Sequence, residues 1–505
     1  MNSKWVKNFS ISMSVFMLTG MLSGCNSSKS VSGTNEKDKS NAPLEFKMVA
    51  ALYSDPPSLS DPFWTEWQKK TNTKLDMEWI PSADFQTKYS LMLNSGNIPE
   101  VSAVPDLRSP TLITGIQNGA FWDITGFLGD LSEYPNFKKN LAPDAFKYLS
   151  LDKKIYAVPR SRSRMDGGIK IRQDWLDKLN IPAPKTLDEY EAALKKIVSS
   201  DLDGNGKKDT IGLLSSSVPT GMFDAAFGAL DPYNNAEGGL VETRLTPGYT
   251  DMIEWFRKLY SEGLMAKEFA SIKDTQAIEL FTTGTAASYT RSIWWDYEWE
   301  KTLNKTQPGA KLVNLTLQGP KGPAVELNTG VAGGYYISKK VPEEKVKKIL
   351  KYFDQTASTE LNDLGYYGIK DVHYKEVDGA KILTAQGIKE VNVTSKGAGV
   401  LAYSKWGKVW SASAPKAYND AKEKEVGIYD EVGKINLFNN TLISTTWGQT
   451  WPKFDDEFTA MQTKAVVGQI SMAEFKTYVK KLNDNPDLQK AFKEFAQSYK
   501  DFLSK

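Results

Sequence analysis

Residues 46–104 read FKMVAALYSDPPSLSDPFWTEWQKKTNTKLDMEWIPSADFQTKYSLMLNSGNIPEVSAV, and this stretch decides the fold. Phe46–Leu52 reads as a strand, and Asp55-Pro56-Pro57 turns the chain. Phe63–Lys70 follows a helical period, and Lys74–Ile80 alternates as a strand. Asp84–Asn94 sets Phe85, Tyr89, Met92 and Leu93 on one helix face, which Ser95-Gly96 ends. Val101–Val104 is a short buried strand. The order βαβαβ predicts a parallel sheet with right-handed crossovers, hence an α/β class. Ligands bind such sheets at the carboxyl ends of strands, here Tyr53-Ser54 and Pro105-Asp106-Leu107-Arg108.

A second α/β unit starts near Ile169. Ile169–Arg172 reads as a strand and Gln173–Leu179 as a helix, and Pro182 and Pro184 then break the chain. Thr186 caps a helix over Leu187–Ser199, with Glu189 completing a capping box. Phe454–Phe502 is helical by periodicity, and no internal repeat is visible.

The chain has 505 residues, 63 basic and 61 acidic, which leaves no basic excess for nucleic acid. Its 25% charged residues suit a globular protein of two to four domains. One His and one Cys leave no His-based zinc site and no internal disulfide. Nucleophile-elbow and P-loop motifs are absent, and the single His373 is read as structural. Aromatics are plentiful, with 14 Trp, 22 Tyr and 22 Phe.

The first segment reads as an address. Lys4 and Lys7 precede the apolar stretch Phe9–Met21, which is too short to span a bilayer. Leu22-Ser23-Gly24-Cys25 resembles the lipobox of bacterial lipoproteins, in which the Cys, here Cys25, is diacylated and residues 1–24 are removed. Residues 25–43, rich in Ser, Asn, Lys and Gly, then form a flexible stalk. The expected location is extracytoplasmic, lipid-anchored on the outer face of the cell membrane.

Six further stretches carry a wider resemblance. They are KYSLMLNSGNIPEV (88–101), IYAVP (155–159), IRQDWLDKLNIPAPKTLDEY (171–190), FTTGTAA (281–287), GIKDVHY (368–374) and VGQISMAEF (467–475). In number and order they resemble family 1 of the extracellular solute-binding proteins, the sugar-binding lipoproteins of bacterial ABC importers, most closely the LplA-like branch. The resemblance implies a two-lobed, type II periplasmic-binding-protein-like fold with a ligand cleft between lobes joined by hinge strands. Crossovers are expected at Ser161–Gly168 and Thr329–Gly333. The N-terminal lobe then takes 44–162 plus 331–395, and the C-terminal lobe 163–330 plus 396–505.

Asp201–Asp209 reads DLDGNGKKD. Asp201, Asp203, Asn205 and Asp209, with the Lys207 carbonyl and Gly206 at the turn, match calcium-loop positions 1, 3, 5, 9, 7 and 6. Position 12 is Gly212 where an EF-hand has Glu, so the loop is incomplete. The alternatives are a structural Ca2+ or a solvated turn. The resemblance implies a sugar-stacking Trp thirteen residues after Phe281, which is Trp294, beside Trp295. Sugar rings have apolar faces and hydroxyl edges, which suit an aromatic plate. Trp406, Trp410, Trp447 and Trp451 form two pairs at four-residue spacing. Such pairs are core stripes, or one of each pair reaches the cleft; Trp406, Trp410 and Trp447 are the candidates.

Arg160, Arg162 and Arg164 lie at the expected first crossover, where alternate strand residues share a face. They would bind the carboxylate of a uronate-containing sugar, or one would pair with Asp166 or Asp174. The resemblance adds Asp106 as a hydroxyl-binding acid, beside Arg108. Tyr335, with Tyr336, would flank the cleft or pack beneath it. The expected function is capture of an oligosaccharide for delivery to ABC permease subunits, by a monomer without catalytic residues. A lipid-anchored glycoside hydrolase and a ligand-presenting protein for a sensor kinase are the alternatives.

Overall fold

The computed structural model describes residues 42–52, 56–165, 167–391, 400–404, 411, 414–439 and 441–504. The opening stretch forms β1 (Leu44–Leu52), α1 (Pro62–Thr71), β2 (Thr73–Pro81), α2 (Ser82–Ser95) and β3 (Val101–Val104). β1 pairs parallel with both β2 and β3, as the βαβαβ order predicts. Left-handed caps end the two helices, Asn72 (φ 49°) after α1 and Gly96 (φ 68°) after α2.

Three later segments complete a six-stranded sheet in the order 403–404, 157–162, 331–337, β3, β1, β2. Val331–Ile337 is antiparallel to both Ala157–Arg162 and β3, with a register shift between Val331 and Gly334. Gly333 sits in that irregularity at φ 150°, where a Cβ would lie 2.7 Å from the Val104 carbonyl oxygen. A second sheet has the order 312–315, 167–172, 286–292, 211–214. Here Gly167–Arg172 is antiparallel to Ala286–Ser292, and Ile211–Leu214 is parallel to it.

Each sheet carries its own apolar core. Met48, Trp64, Val101, Tyr335, Phe353 and Leu401 belong to the first. Ile171, Trp175, Phe256, Phe281, Trp451 and Phe492 belong to the second. The chain leaves the first sheet after Arg162 and enters the second at Gly167, and it re-enters the first at Val331. The two passages run side by side, with Arg162 N–H donating to Gly330 O at 2.8 Å and Asn328 N–H to Arg164 O at 2.9 Å. A third passage lies later than the expected boundary at 395. Val400, Leu401 and Ala402 are still in the first core, and Tyr403–Ser404 still pairs on the first sheet.

Two local details differ from expectation. Thr186 Oγ1 does accept from Glu189 N–H (3.1 Å), but the Glu189 carboxylate reaches back to Lys185 N–H, so the box is not closed on Thr186. The C-terminal stretch is three helices, Asp455–Val467, Met472–Asn483 and Pro486–Leu503. Gly468 at φ 82° and a reciprocal Ser471–Glu474 capping box make the first break, and Asn485-Pro486 makes the second. The last helix returns to the first lobe, where Phe502 packs on Tyr148 with ring centres 5.5 Å apart. Among the described residues no helix is long and apolar enough to cross a membrane.

Candidate functional site

Several of the candidates stand on elements next to the places where the chain passes between the two lobes. Arg160 and Arg162 stand on the Ala157–Arg162 strand, both half-buried. The Arg160 guanidinium lies 5.8 Å from the Tyr335 ring centre. Beside them, burial pushes the Tyr366 phenol up, while Ser404 and the charges of Arg162 and Arg160 pull it back. Arg164 leaves this group and pairs with Asp144 at 2.5 Å. Asp174, the partner considered for these arginines, is taken by Arg172 through two hydrogen bonds of 2.8 and 2.6 Å. Asp166 lies outside the described residues.

Tyr335, a candidate ligand contact that would flank the cleft or pack beneath it, is a residue of the first core. It is 0% exposed, stacks on Phe353 at 4.3 Å and donates its O–H to Leu401 O at 3.0 Å. A large ring on a central strand buries more apolar area against a helix than it would at a wet edge. Tyr336, on the other face, is equally enclosed at 2%.

The loop after β3 presents Asp106 to solvent, its carboxylate accepting from Arg108 N–H at 3.0 Å. The Arg108 guanidinium donates to Tyr148 O at 2.8 Å, and burial lowers its pKa to about 10. Arg108 lines two cavities, of about 260 and about 200 Å3, and residues of both cores line the smaller. Lys147, Glu494 and Phe502 close the larger. Ile113, Glu242, Arg244 and Trp447 close the smaller. Trp447 is half-buried and stacks on buried Trp451, with centroids 4.5 Å apart and planes 8° apart. The Arg244 guanidinium covers Trp451 at 4.2 Å and pairs with Glu242 and Asp455. Glu242 and Arg244 have no motif that would have singled them out; only folding brings them to Trp447.

Phe281, Gly284 and Ala287 do lead a helix into the Ala286–Ser292 strand, with Gly284 at φ 88° in the turn. Ser292 pairs with Gly167, the first described residue after the crossing from the first lobe. The 3₁₀ turn Ile293–Trp295 that follows therefore stands at the junction of the lobes. Trp294 is half-buried, Trp295 is 38% exposed, and their ring centres are 4.4 Å apart. Trp295, Trp299 and Tyr289 form a run of near-parallel rings, with successive planes 10° and 6° apart. Tyr53, Trp406, Trp410 and Cys25 lie outside the described residues.

The Asp201–Asp209 loop is exposed, with Gly204 and Gly206 at φ 74° and 78°. Asp201 accepts from Asn205 N–H and Gly206 N–H. The Asn205 amide N–H2 donates to both Asp203 (3.0 Å) and Asp209 (2.9 Å). Burial, then Asp201 and Asp209, raise the Asp203 carboxyl above its ordinary value. Among the described residues no three His, Cys, Asp or Glu groups form a ready metal cage. Three carboxylates and the Asn205 amide, oxygen donors of the kind a hard cation takes, lie within this one loop.

His373 is fully buried. Its Nδ1 accepts from Ile369 N–H at 2.9 Å, so Nε2 carries the proton and meets Glu390 at 2.8 Å. That places it in a structural pin, apart from the candidates above.

The bacterial extracellular solute-binding protein family matches residues 64–377 of the chain. The polygalacturonan/rhamnogalacturonan-binding protein YtcQ of Bacillus subtilis (strain 168) is 29% identical over 389 residues, 74% of this chain and 75% of YtcQ. Lipoprotein LipO of the same organism is 27% identical, with 99% of both chains covered. Among solved structures, the alginate-binding protein AlgQ2, crystallised without calcium ion, superposes with a TM-score of 0.62 at 19% identity. That superposition covers 91% of this chain and 98% of AlgQ2, so the two share the type II binding-protein fold. A match over more than half of the sequence, on a fold shared almost end to end with a solved binding protein, makes this chain a bacterial extracellular solute-binding protein.

Proposed function

We propose that the protein captures a uronate-containing oligosaccharide at the junction of its lobes and hands it to an ABC importer without altering it. The observation that carries this reading is the Trp294–Trp295 turn, which follows a strand paired to the first residues after the Arg160–Arg162 crossing. The indoles offer apolar plates to sugar faces, and the guanidinium groups offer paired N–H donors to carboxylates and hydroxyls. Arg108, Asp106 and Trp447 supply further polar and aromatic contacts from the loop after β3 and the inter-lobe cavity. YtcQ and AlgQ2, named for binding uronate polymers, favour an acidic sugar. Closure of the lobes over the ligand gives the permease subunits a form to recognise.

Calcium belongs to this proposal as a structural ion. Asp201, Asp203, Asn205 and Asp209, with the Lys207 carbonyl, would hold it and neutralise the charge gathered in the loop. LipO, a lipoprotein, supports an acylated Cys25 that keeps the body on the outer face of the membrane.

The test is a titration of the soluble Ser27–Lys505 chain with neutral and uronate-containing oligosaccharides, followed by Trp fluorescence and calorimetry. Saturable binding that favours uronates, with the sugar recovered intact, is the expected outcome. Preference for neutral sugars would remove the acidic ligand, and cleavage of the sugar would replace binding by hydrolysis.

A further inference from the structure

Beneath the Trp294–Trp295 turn lies a charge cluster that no motif announces. Asp296, the next residue, is 2% exposed. Its carboxylate meets Lys170 Nζ at 3.1 Å and accepts from Lys422 Nζ at 2.8 Å and Asn314 Nδ2 at 2.5 Å. Lys170 is 0% exposed and also donates to the Arg291 and Ser292 carbonyls, the last two residues of the strand that leads to the turn. Lys422 is 7% exposed and pairs in addition with Glu425. Two buried ammonium groups therefore face two carboxylates, which satisfies the charge balance burial demands. The ring run beside it is set by the same groups, since Lys170 Nζ sits 5.5 Å from the Trp299 ring, on which Trp295 stacks.

The geometry is that of a clamp. Lys170 holds the strand end through two carbonyls, and both lysines hold the residue that follows the indoles. Lys422 comes from the Lys416–Val432 helix, beyond the third passage between lobes, and its neighbour Tyr418 packs edge-on against Tyr297 at 5.0 Å. Ile293 anchors the turn in the second core, whereas the two indoles are less enclosed, with Trp295 38% exposed and Trp294 half-buried. Aromatic plates bind sugars well only when they are held near one orientation before the ligand arrives.

We infer that the Lys170–Asp296–Lys422 cluster is a positioning device for the Trp294–Trp295 platform, and that Lys422 sets ligand affinity through Asp296 without touching the sugar. This rests on the proposed role of Trp294 in sugar binding. The test uses the full-length chain with Lys422→Met, Lys422→Arg and Trp294→Ala, read by oligosaccharide Kd, thermal melting and circular dichroism. Two indoles 4.4 Å apart give an exciton couplet, and the difference between wild type and Trp294→Ala isolates it without any ligand. Lys422→Met is expected to lose the Trp294 part of the couplet and to weaken binding roughly tenfold, while still melting cooperatively. Lys422→Arg, which keeps the cation, is expected to retain both.

A wild-type couplet and Kd in Lys422→Met would overturn the inference. So would weaker binding with the couplet intact, or Lys422→Arg behaving like Lys422→Met. If Lys422→Met does not melt cooperatively, Lys422→Gln carries the same comparison with a neutral donor. If Lys422→Met loses the couplet but Trp294→Ala binds like wild type, the clamp stands and Trp294 leaves the sugar site.

Discussion

Trp294 shows how a single side chain can be suggested by sequence spacing yet owe its setting to neighbours far along the chain. Its offset from Phe281 is local, whereas its level beside the crossing follows from pairing of Ser292 with Gly167. Trp294→Ala is expected to weaken oligosaccharide binding roughly tenfold, ~1.5 kcal/mol, with an unchanged melting temperature; calorimetry beside a melting curve checks it. His373 is the opposite case, a residue whose partners make it structural. Burial would raise the Glu390 carboxyl, but hydrogen bonds from His373 and Gln386 hold it below its ordinary value. A lowered carboxyl stabilises the fold above its unfolded value and stops doing so as pH falls through the lower folded one. Wild type is therefore expected to lose stability from this pair only on acidification below the ordinary Glu range. His373→Ala takes one hydrogen-bond partner from buried Glu390, which keeps Gln386, and leaves Ile369 N–H without its imidazole acceptor; it is expected to cost about 1–3 kcal/mol at neutral pH, measured by urea unfolding.

Among the elements, the Asp201–Asp209 loop is the one whose behaviour a metal would change. Asp203 is raised by burial and by its neighbouring carboxylates. A raised carboxyl works against the ionised folded state above the unfolded value, and this penalty fades as pH falls and the group is protonated. Bound calcium would offset the penalty at neutral pH, where the loop is ionised. Chelation is therefore expected to lower the melting temperature at pH 7, and the loss should shrink in the acidic range. Added calcium should restore the melting temperature. An unchanged melting curve after verified metal removal would take the ion out of the proposal. The crossing strands are a second element with a defined constraint. A Cβ at Gly333 would meet the Val104 carbonyl oxygen, with Arg160 Cδ also in contact range. Gly333→Ala is expected to destabilise the first sheet by about 1–3 kcal/mol, seen as a lower urea midpoint.

At the scale of the whole molecule, two separately cored lobes meet at side-by-side passages and at the C-terminal helix. Asp144, next to Ala145 and Phe146 of the first core, pairs with Arg164 at the start of the second lobe. Asp430, from the second lobe, is raised by burial and drawn back by the same Arg164. A saturating oligosaccharide should lower the radius of gyration in small-angle scattering, as lobe closure requires. Identical curves with and without a bound ligand would show that this chain binds without closing. The Arg164–Asp144 pair is about a third exposed, so Asp144→Asn should shift affinity by less than about 1 kcal/mol.

What the sequence alone determined is what depends on near neighbours. Alternation and helical period in residues 46–104 specify the β1–β3 unit, because each element buries a face against the next one in the chain. The candidate calcium donors are legible for the same reason, since all lie within Asp201–Asp209. Tertiary structure alone decided which distant faces meet. It buried Tyr335 under Phe353 and gave Arg164 to Asp144. It carried the first sheet on to Ser404 and set Arg108 and Trp447 around one cavity. It also brought Lys422 to Asp296, 126 residues away. Periodicity records which side of an element is apolar, but not which element will cover it. Partner choice is settled by packing and charge balance across the whole fold, and there the buried lysines and the aromatic turn acquire their relation.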